Sequence, residues 1–266
     1  METLESKVRR SLAVIRYAQQ RSAHPLIVNF SGGKDSLVLF DLIQQVTDDF
    51  LCMYCVSGIE FPEVIEDVKR TAEERGVDLY FSYPSDHKGG FFERLAEFRA
   101  FPTIHSRWCS RDLKFRPQKK LLNRLFGNSV LYKLNAVRRY ESSRRRRIYA
   151  HRSYMAEDPD VSGDIMVFPI MDWTTEERNQ YLKERAVKVE TSSLYESFGV
   201  SGCYWCPFYQ PSIYRWILMY DSTMYDRFIE WEIALNSPSV NGYTWLRDLK
   251  REVEEEEAVL VGTQRV

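Results

Sequence analysis

One stretch limits what this chain can become: Leu26-Ile-Val-Asn-Phe-Ser-Gly-Gly-Lys-Asp-Ser36. Leu26 to Phe30 is an apolar run of strand length, and Leu37 to Ile43 carries the dense apolar pattern of a helix packed on a sheet. Between them lie Ser31, Gly32, Gly33, Lys34, Asp35 and Ser36, none of them bulky. A strand, a glycine turn and a helix N-terminus in succession form a phosphate-binding geometry. The glycines let the backbone approach, the first-turn N–H groups point at the anion, and the helix dipole favours negative charge. Lys34 adds a full positive charge. The spacing is neither that of a Walker A loop nor G-x-G-x-x-G. A lone Gly-Gly would be read as a simple turn with a capping serine; its place between a clear strand and a clear helix favours phosphate.

A chain of 266 residues has room for one large α/β domain and a smaller appendage. The formal charge of −1 gives no global case for a polyanion-binding protein, so any such surface is local. Met1 to Gln20 mixes charged and apolar residues, and no apolar run approaches membrane-spanning length. The expectation is a cytoplasmic protein without a membrane partner. Five cysteines, an odd number, argue against a closed disulfide framework and for metal or redox use of those that cluster.

The remaining elements follow in order. Leu4, Val8, Leu12, Ile15 and Ala18 predict an amphipathic first helix. Phe50–Val56 reads as a second strand, ended by Ser57-Gly58, and Pro62 suits the first position of the next helix. Strand–helix–strand in this order predicts a parallel sheet, with ligands beyond the carboxyl ends of the strands, beside Ser57, Gly58, Ile59 and Glu60. Cys52 and Cys55 are three positions apart in a strand, face opposite sides, and read as small buried residues. Further strands are expected at Gly76–Phe81, Val130–Leu134 and Ile165–Ile170, and helices at Phe91–Phe98 and Lys119–Phe126. The arginine run Arg144–Arg147 is a solvated loop or an anion-binding one; its place after a strand favours the anion. Thr174-Thr-Glu-Glu177 has capping-box spacing. Gly199–Phe208 is a cysteine-bearing turn, residues 212–235 are helical and aromatic, and Glu252–Glu257 is a solvated helix end. The expected division is a nucleotide-binding α/β domain over 1–195 and a cysteine-containing helical region over 196–266, packed on it.

Cys109, Cys203 and Cys206 are the cysteines whose spacing suggests one centre. A structural zinc site wants a fourth ligand, from His105 or an acid, and an iron–sulfur cluster normally takes four cysteines. Reduced thiols with no metal are the plain alternative.

The loop Ser31–Ser36 resembles the pyrophosphate-binding loop of the adenine nucleotide alpha-hydrolase (PP-loop ATP pyrophosphatase) superfamily. Further segments resemble the phosphoadenosine-phosphosulfate (PAPS) reductase family, particularly its iron–sulfur members. They are Ser57-Gly-Ile-Glu-Phe-Pro-Glu63, Arg107-Trp-Cys-Ser-Arg-Asp-Leu-Lys-Phe-Arg-Pro117, Arg138-Arg-Tyr-Glu-Ser142, Pro169-Ile-Met-Asp-Trp173 and Gly202-Cys-Tyr-Trp-Cys-Pro207. The resemblance implies a Rossmann-like parallel sheet flanked by helices. It also implies an ATP or adenylyl-sulfate site made by Phe30, Ser31, Gly32, Gly33, Lys34, Asp35, Ser36, Ser57, Gly58, Arg138 and Arg139. Lys34, Asp35 and Arg138 would act in catalysis, with Mg²⁺ on the phosphates beside Asp35. It further implies a [4Fe–4S] cluster held by Cys109, Cys203 and Cys206, ahead of zinc.

Three departures stand out. Trp108 replaces the first cysteine of the family's Cys-Cys pair, Ala136 replaces a glycine, and Leu246–Val266 has no cysteine to act as the reductase nucleophile. The leading expectation is therefore an ATP-dependent, pyrophosphate-releasing sulfur-transfer enzyme. Its sulfur would come from a cysteine desulfurase or another donor, and its acceptor would be a nucleic acid, in tRNA thiolation or DNA phosphorothioation. A PAPS or adenylyl-sulfate reductase using Cys55 or an external thiol is the alternative, and a non-catalytic nucleotide-binding subunit is the third reading. A homodimer is a further expectation.

Overall fold

A computed structural model describes residues 2–84, 89–159, 163–187, 202–240 and 243–263. The chain divides into two compact units. The first comprises Met1–Val56, Pro62–Tyr83 and Phe115–Ser201; the second comprises Ser57–Phe61, Pro84–Lys114 and Gly202–Val266. The expected boundary near residue 195 falls among residues 188–201, outside the described residues, as does the Gly199–Ser201 part of the cysteine turn. The second unit is thus assembled from three separate stretches.

The first unit is built on a six-stranded sheet of order β3-β2-β1-β4-β6-β5. Its strands are β1 (Leu26–Asn29), β2 (Phe50–Cys55), β3 (Leu79–Ser82), β4 (Tyr132–Leu134), β5 (Met155–Glu157) and β6 (Ile165–Val167). All neighbours pair in parallel except β5, which runs antiparallel to β6 at the edge. The expected Rossmann-like α/β class is therefore observed. Three expected strands shift or shorten: Gly76 lies outside β3, β4 begins at Tyr132, and Ile165–Ile170 gives way to a turn at Pro169. Pro169 has no N–H for a ladder, which is reason enough for β6 to stop there. The three-residue strand β5 carries no periodicity long enough to read from the sequence.

Helices of this unit are α1 (Leu4–Arg21), α2 (Lys34–Gln44), α3 (Pro62–Glu74), α5 (Arg116–Phe126), α6 (Ser143–Tyr149) and α7 (Thr175–Glu184); α4 (Phe91–Phe98) belongs to the second unit. Ile27, Leu51 and Met53 form one buried face of the sheet with Leu122 of α5 and Leu131. Strand alternation turns Leu26, Val28 and Cys52, all fully buried, to the other face. Ser11 of α1 donates to the Pro169 carbonyl (2.7 Å) and accepts from the Trp173 indole (3.1 Å), tying that helix to the turn after β6. The capping box at Thr174 and Glu177 forms as expected, and Glu177 also accepts from Lys7 of α1 at 2.7 Å.

The second unit has an aromatic core in which Phe91 packs near Trp108, Trp205 and Phe228. Residues 212–235 are helical as expected and fall in two helices, α8 (Pro211–Tyr220) and α9 (Ser222–Leu235). Asp221 makes the break: its carboxylate caps α9 at the Met224 N–H (2.9 Å) and accepts from the Tyr204 hydroxyl (2.9 Å). The last helix, α10 (Leu246–Thr263), includes the acidic run expected to be solvated, and there Glu252 and Glu256 pair with Arg215 of α8. Glu232 of α9 is fully buried and accepts from the Ser239 N–H (2.8 Å) and the Leu246 N–H (2.9 Å).

Candidate nucleotide and thiol sites

In the first unit the sheet order reverses at β1, with β2 on one side and β4 on the other. Such a reversal opens a crevice beyond the strand carboxyl ends. Its floor is an amide network. Asn29, the last residue of β1, donates to Asn135 after β4 at 2.7 Å and accepts from Gln118 of α5. Asn135 in turn donates to the Lys133 carbonyl at 2.9 Å.

The expected phosphate loop lies at this reversal. Gly32 has φ +75°, and a Cβ built on it would stand 2.8 Å from Val68 Cγ2 of α3. Only glycine meets both conditions without strain. Gly33 is the N-cap of α2 and supplies no side-chain cap. First-turn N–H groups have no acceptor within their own helix, which is what suits such a terminus to an anion. Ser36 is buried and donates to the Gly33 carbonyl at 2.8 Å, with Ser31 Oγ 3.3 Å from Ser36 Oγ. The two serines thus fix the loop's shape. Phe30 is buried and stacked on Phe40 (5.2 Å between ring centroids), so its side chain belongs to the core.

Asp35 does not face outward alone. Its Oδ1 accepts from Arg138 Nε at 2.8 Å and from Arg178 Nη1 at 3.1 Å. Arg178, on α7, was not among the residues expected here; nothing in the sequence places position 178 beside position 35, since the sheet crossover that joins them is a tertiary fact. Arg139 pairs instead with Asp172 at 2.7 Å. The Arg144–Arg147 run forms α6, a short helix rather than a loop, capped by Ser142 Oγ on the Arg145 N–H (3.1 Å). Arg145 pairs with Glu141, and Arg144, Arg146 and Arg147 are exposed.

Ser57, Gly58 and the three cysteines all belong to the second unit. The chain from Ile59 to Phe61 pairs with Gly202–Tyr204: Tyr204 N donates to Ile59 O (2.7 Å) and Phe61 N to Gly202 O (3.1 Å). Glu60, directly opposite Cys203, accepts from the Ser57 N–H (2.7 Å), the Ser57 hydroxyl and the Gly58 N–H (2.9 Å). Ser57 Oγ is therefore committed to Glu60. Gly90 locks the turn from behind: with φ +63°, it lies so close that an added Cβ would stand 2.5 Å from Ser57 O.

Cys203 Sγ lies 3.6 Å from Lys114 Nζ, 3.7 Å from Ser57 Oγ and 3.9 Å from Glu60 Oε1. Burial pushes its thiol up to about 11, against the pull of Lys114. Burial also raises Cys109 and Cys206; Lys114 and Arg107 oppose it at both, and the charge of Cys109 adds to the rise at Cys206. The three thiols thus share one electrostatic environment. Among the described residues, no group of three or more His, Cys, Asp or Glu stands in metal-binding geometry. Cys52 is a fully buried strand residue, as expected.

The segment bearing Cys109 is a helical turn (Trp108–Ser110) followed by a π-helical turn (Arg111–Phe115). Such irregular turns are frequent at functional sites. Asp112 anchors this one, accepting from Arg111 Nε (2.6 Å) and Arg94 Nε (2.8 Å). The Arg111 bond, ahead of Arg94, lowers its pKa to about 2. A depressed carboxylate stabilises the fold above its unfolded value, near 4, and loses that contribution as pH falls through its folded value. Unfolding of the wild type is therefore expected to lose about 2 kcal/mol between pH 4 and pH 2 from this group. Acid titration of stability should show that loss diminished in Asp112→Asn.

Comparison with known proteins agrees with this architecture. Residues 25–208 match the phosphoadenosine phosphosulfate reductase domain. The chain is 30% identical over 210 residues to the uncharacterized protein MJ0973 of Methanocaldococcus jannaschii, covering 77% of this chain and 48% of that one. It is 24% identical over 206 residues to adenosine 5'-phosphosulfate reductase of Geobacillus kaustophilus, covering 75% of this chain and 81% of that one. It thus spans about half the length of the first of these relatives. Among solved structures, phosphoadenylyl-sulfate reductase of Candida auris has the same fold, with a TM-score of 0.53 at 16% identity over 75% of this chain and 92% of that one. Among the described residues, no helix is long and apolar enough to cross a membrane. The switch-point loop, the motif order and the match over most of the chain place it together: this chain belongs to the phosphoadenosine phosphosulfate reductase domain family.

Proposed function

We propose that this chain is an ATP-dependent sulfur-transfer enzyme that activates its acceptor by adenylation and releases pyrophosphate. The observation that carries the reading is the Ser31–Ser36 loop: a positive-φ glycine that tolerates no side chain, an uncapped helix N-terminus, and Lys34 beside them at the sheet's switch point. ATP would lay its phosphates on the first turn of α2. Lys34 would stabilise the charge that develops as pyrophosphate leaves. Asp35 is bonded to two arginines, so a divalent ion would arrive with the nucleotide and be held mainly by its phosphates. Sulfur would be received by the thiols of the second unit from a donor such as a cysteine desulfurase. The exposed arginines of α6 support a nucleic-acid acceptor, because guanidinium groups pair with backbone phosphates.

Sulfonucleotide reduction is the second reading, favoured by the relationship to adenosine 5'-phosphosulfate reductase. One set of assays separates the two. Release of AMP and pyrophosphate from ATP in the presence of a tRNA or DNA acceptor supports sulfur transfer; sulfite from adenylyl-sulfate or PAPS with a thiol reductant, and no pyrophosphate from ATP, overturns it. Anaerobic purification with iron and zinc analysis tests the cysteine site separately. About four irons per chain would establish the expected [4Fe–4S] cluster, and protein free of iron and zinc would leave the three cysteines as thiols.

A further inference from the structure

We propose that Asp35 is an internal counter-anion that holds Arg138 and Arg178 in reserve for the diphosphate portion of a bound nucleotide. This rests on the phosphate-loop reading above, and it makes Arg178 a phosphate-recognising residue.

Direct contact pairs two cations with one anion. Two guanidinium groups converge on one carboxylate oxygen, at 2.8 Å and 3.1 Å. The arginine side chains are 3% and 9% exposed, whereas that of Asp35 is 20% exposed, so the anion is the wetter member. The other partners are neutral: Arg138 Nη1 reaches the Trp173 carbonyl (3.4 Å) and Thr175 Oγ1 (3.3 Å), and Arg178 reaches Asn179 Oδ1 (2.8 and 3.1 Å). Of the nearby acids, Glu141 pairs with Arg145, and Glu141 and the exposed Glu176 also attract Arg138 and Arg178 through space. Among the described residues, Asp35 is thus the carboxylate in direct contact with both arginines, while Glu141 and Glu176 act on them only through space. Asp35 is also the second residue of α2, whose N-terminal dipole adds to the same positive field.

A phosphate chain seated on that turn needs the same donors that Asp35 occupies. Arginine forks suit phosphate oxygens as well as carboxylate ones. Ligand and carboxylate thus compete for them, and removing the carboxylate should strengthen binding. A magnesium-ligating Asp35 would give the opposite sign, and only when the metal is present.

The test is calorimetric titration of the full chain with inorganic pyrophosphate in EDTA. Asp35→Asn is expected to bind about tenfold tighter than wild type and Arg178→Ala about tenfold weaker, with Arg178→Lys recovering part of the loss. Weaker or unchanged binding by Asp35→Asn overturns the proposal, as does wild-type affinity in Arg178→Ala. Circular dichroism checks folding. Should Asp35→Asn fail to fold, the Arg178 pair decides: lysine as weak as alanine overturns the proposal. Lys34→Ala reports on the parent reading. If wild type binds pyrophosphate through Lys34 but the Asp35 and Arg178 variants match it, this inference alone falls; if wild type binds none, both fall.

Discussion

Lys34→Ala is expected to lower ATP-dependent pyrophosphate release by two to three orders of magnitude, with little change in stability. Lys34 is the first residue of α2, the end at which the helix N–H groups and dipole favour an anion. Groups aimed at charge that develops in a transition state are worth about 3–4 kcal/mol each when deleted, or 10²–10³ in rate. Because the rest of the loop is held by Gly32 and by the Ser31–Ser36 contact, removing the lysine leaves the backbone cradle standing. Adenosine binding should therefore persist while the turnover rate collapses. Measured pyrophosphate release within threefold of wild type would show that Lys34 does not face the leaving group.

The largest expected effect on stability is at Gly90. Its backbone angles, φ 63° and ψ −128°, lie in a region essentially closed to residues with a Cβ. An alanine there would also place its methyl 2.5 Å from the Ser57 carbonyl and 3.2 Å from Gly58 Cα, both backbone atoms with no rotamer to give way. Strain of about 1–3 kcal/mol and overpacking of about 1–3 kcal/mol would act together. Gly90→Ala is thus expected to destabilise the protein by about 4 kcal/mol in urea unfolding. The displaced Ser57–Gly58 turn is the one that grips Glu60, opposite Cys203. The variant should accordingly also change the alkylation rate of Cys203, which a peptide-mass measurement can follow.

Much of the first unit could be read from the sequence because its signals are local. Strand β1, the glycine turn and helix α2 are contiguous, and hydrophobic periodicity marks each of them. The capping box and helix α4 were legible for the same reason. What escaped was non-local. Arg178 sits on a helix whose pattern says nothing about Asp35, and Glu60 gains its meaning only when Gly202–Tyr204 pairs beside it. The Asp221 break in the aromatic helix was in principle readable, since Asp before Ser-Thr is a good N-cap. The dense apolar pattern on both sides concealed it. Spacing and resemblance grouped the cysteines, but that Cys203 also lies beside Lys114, Ser57 and Glu60 is a tertiary fact no spacing announces.

The pairing of Ile59–Phe61 with Gly202–Tyr204 also bears on the order of assembly. During synthesis the first of these segments leaves the ribosome long before the second exists. The parallel core strands β1, β2 and β3 can associate in that interval, because all three lie within the early part of the chain. The second unit cannot: its cysteines and the carboxylate beside them come from stretches separated by most of the sheet. Its site therefore forms late and all at once, and a chain stopped before Gly202 would carry the phosphate loop without the thiol that faces Glu60.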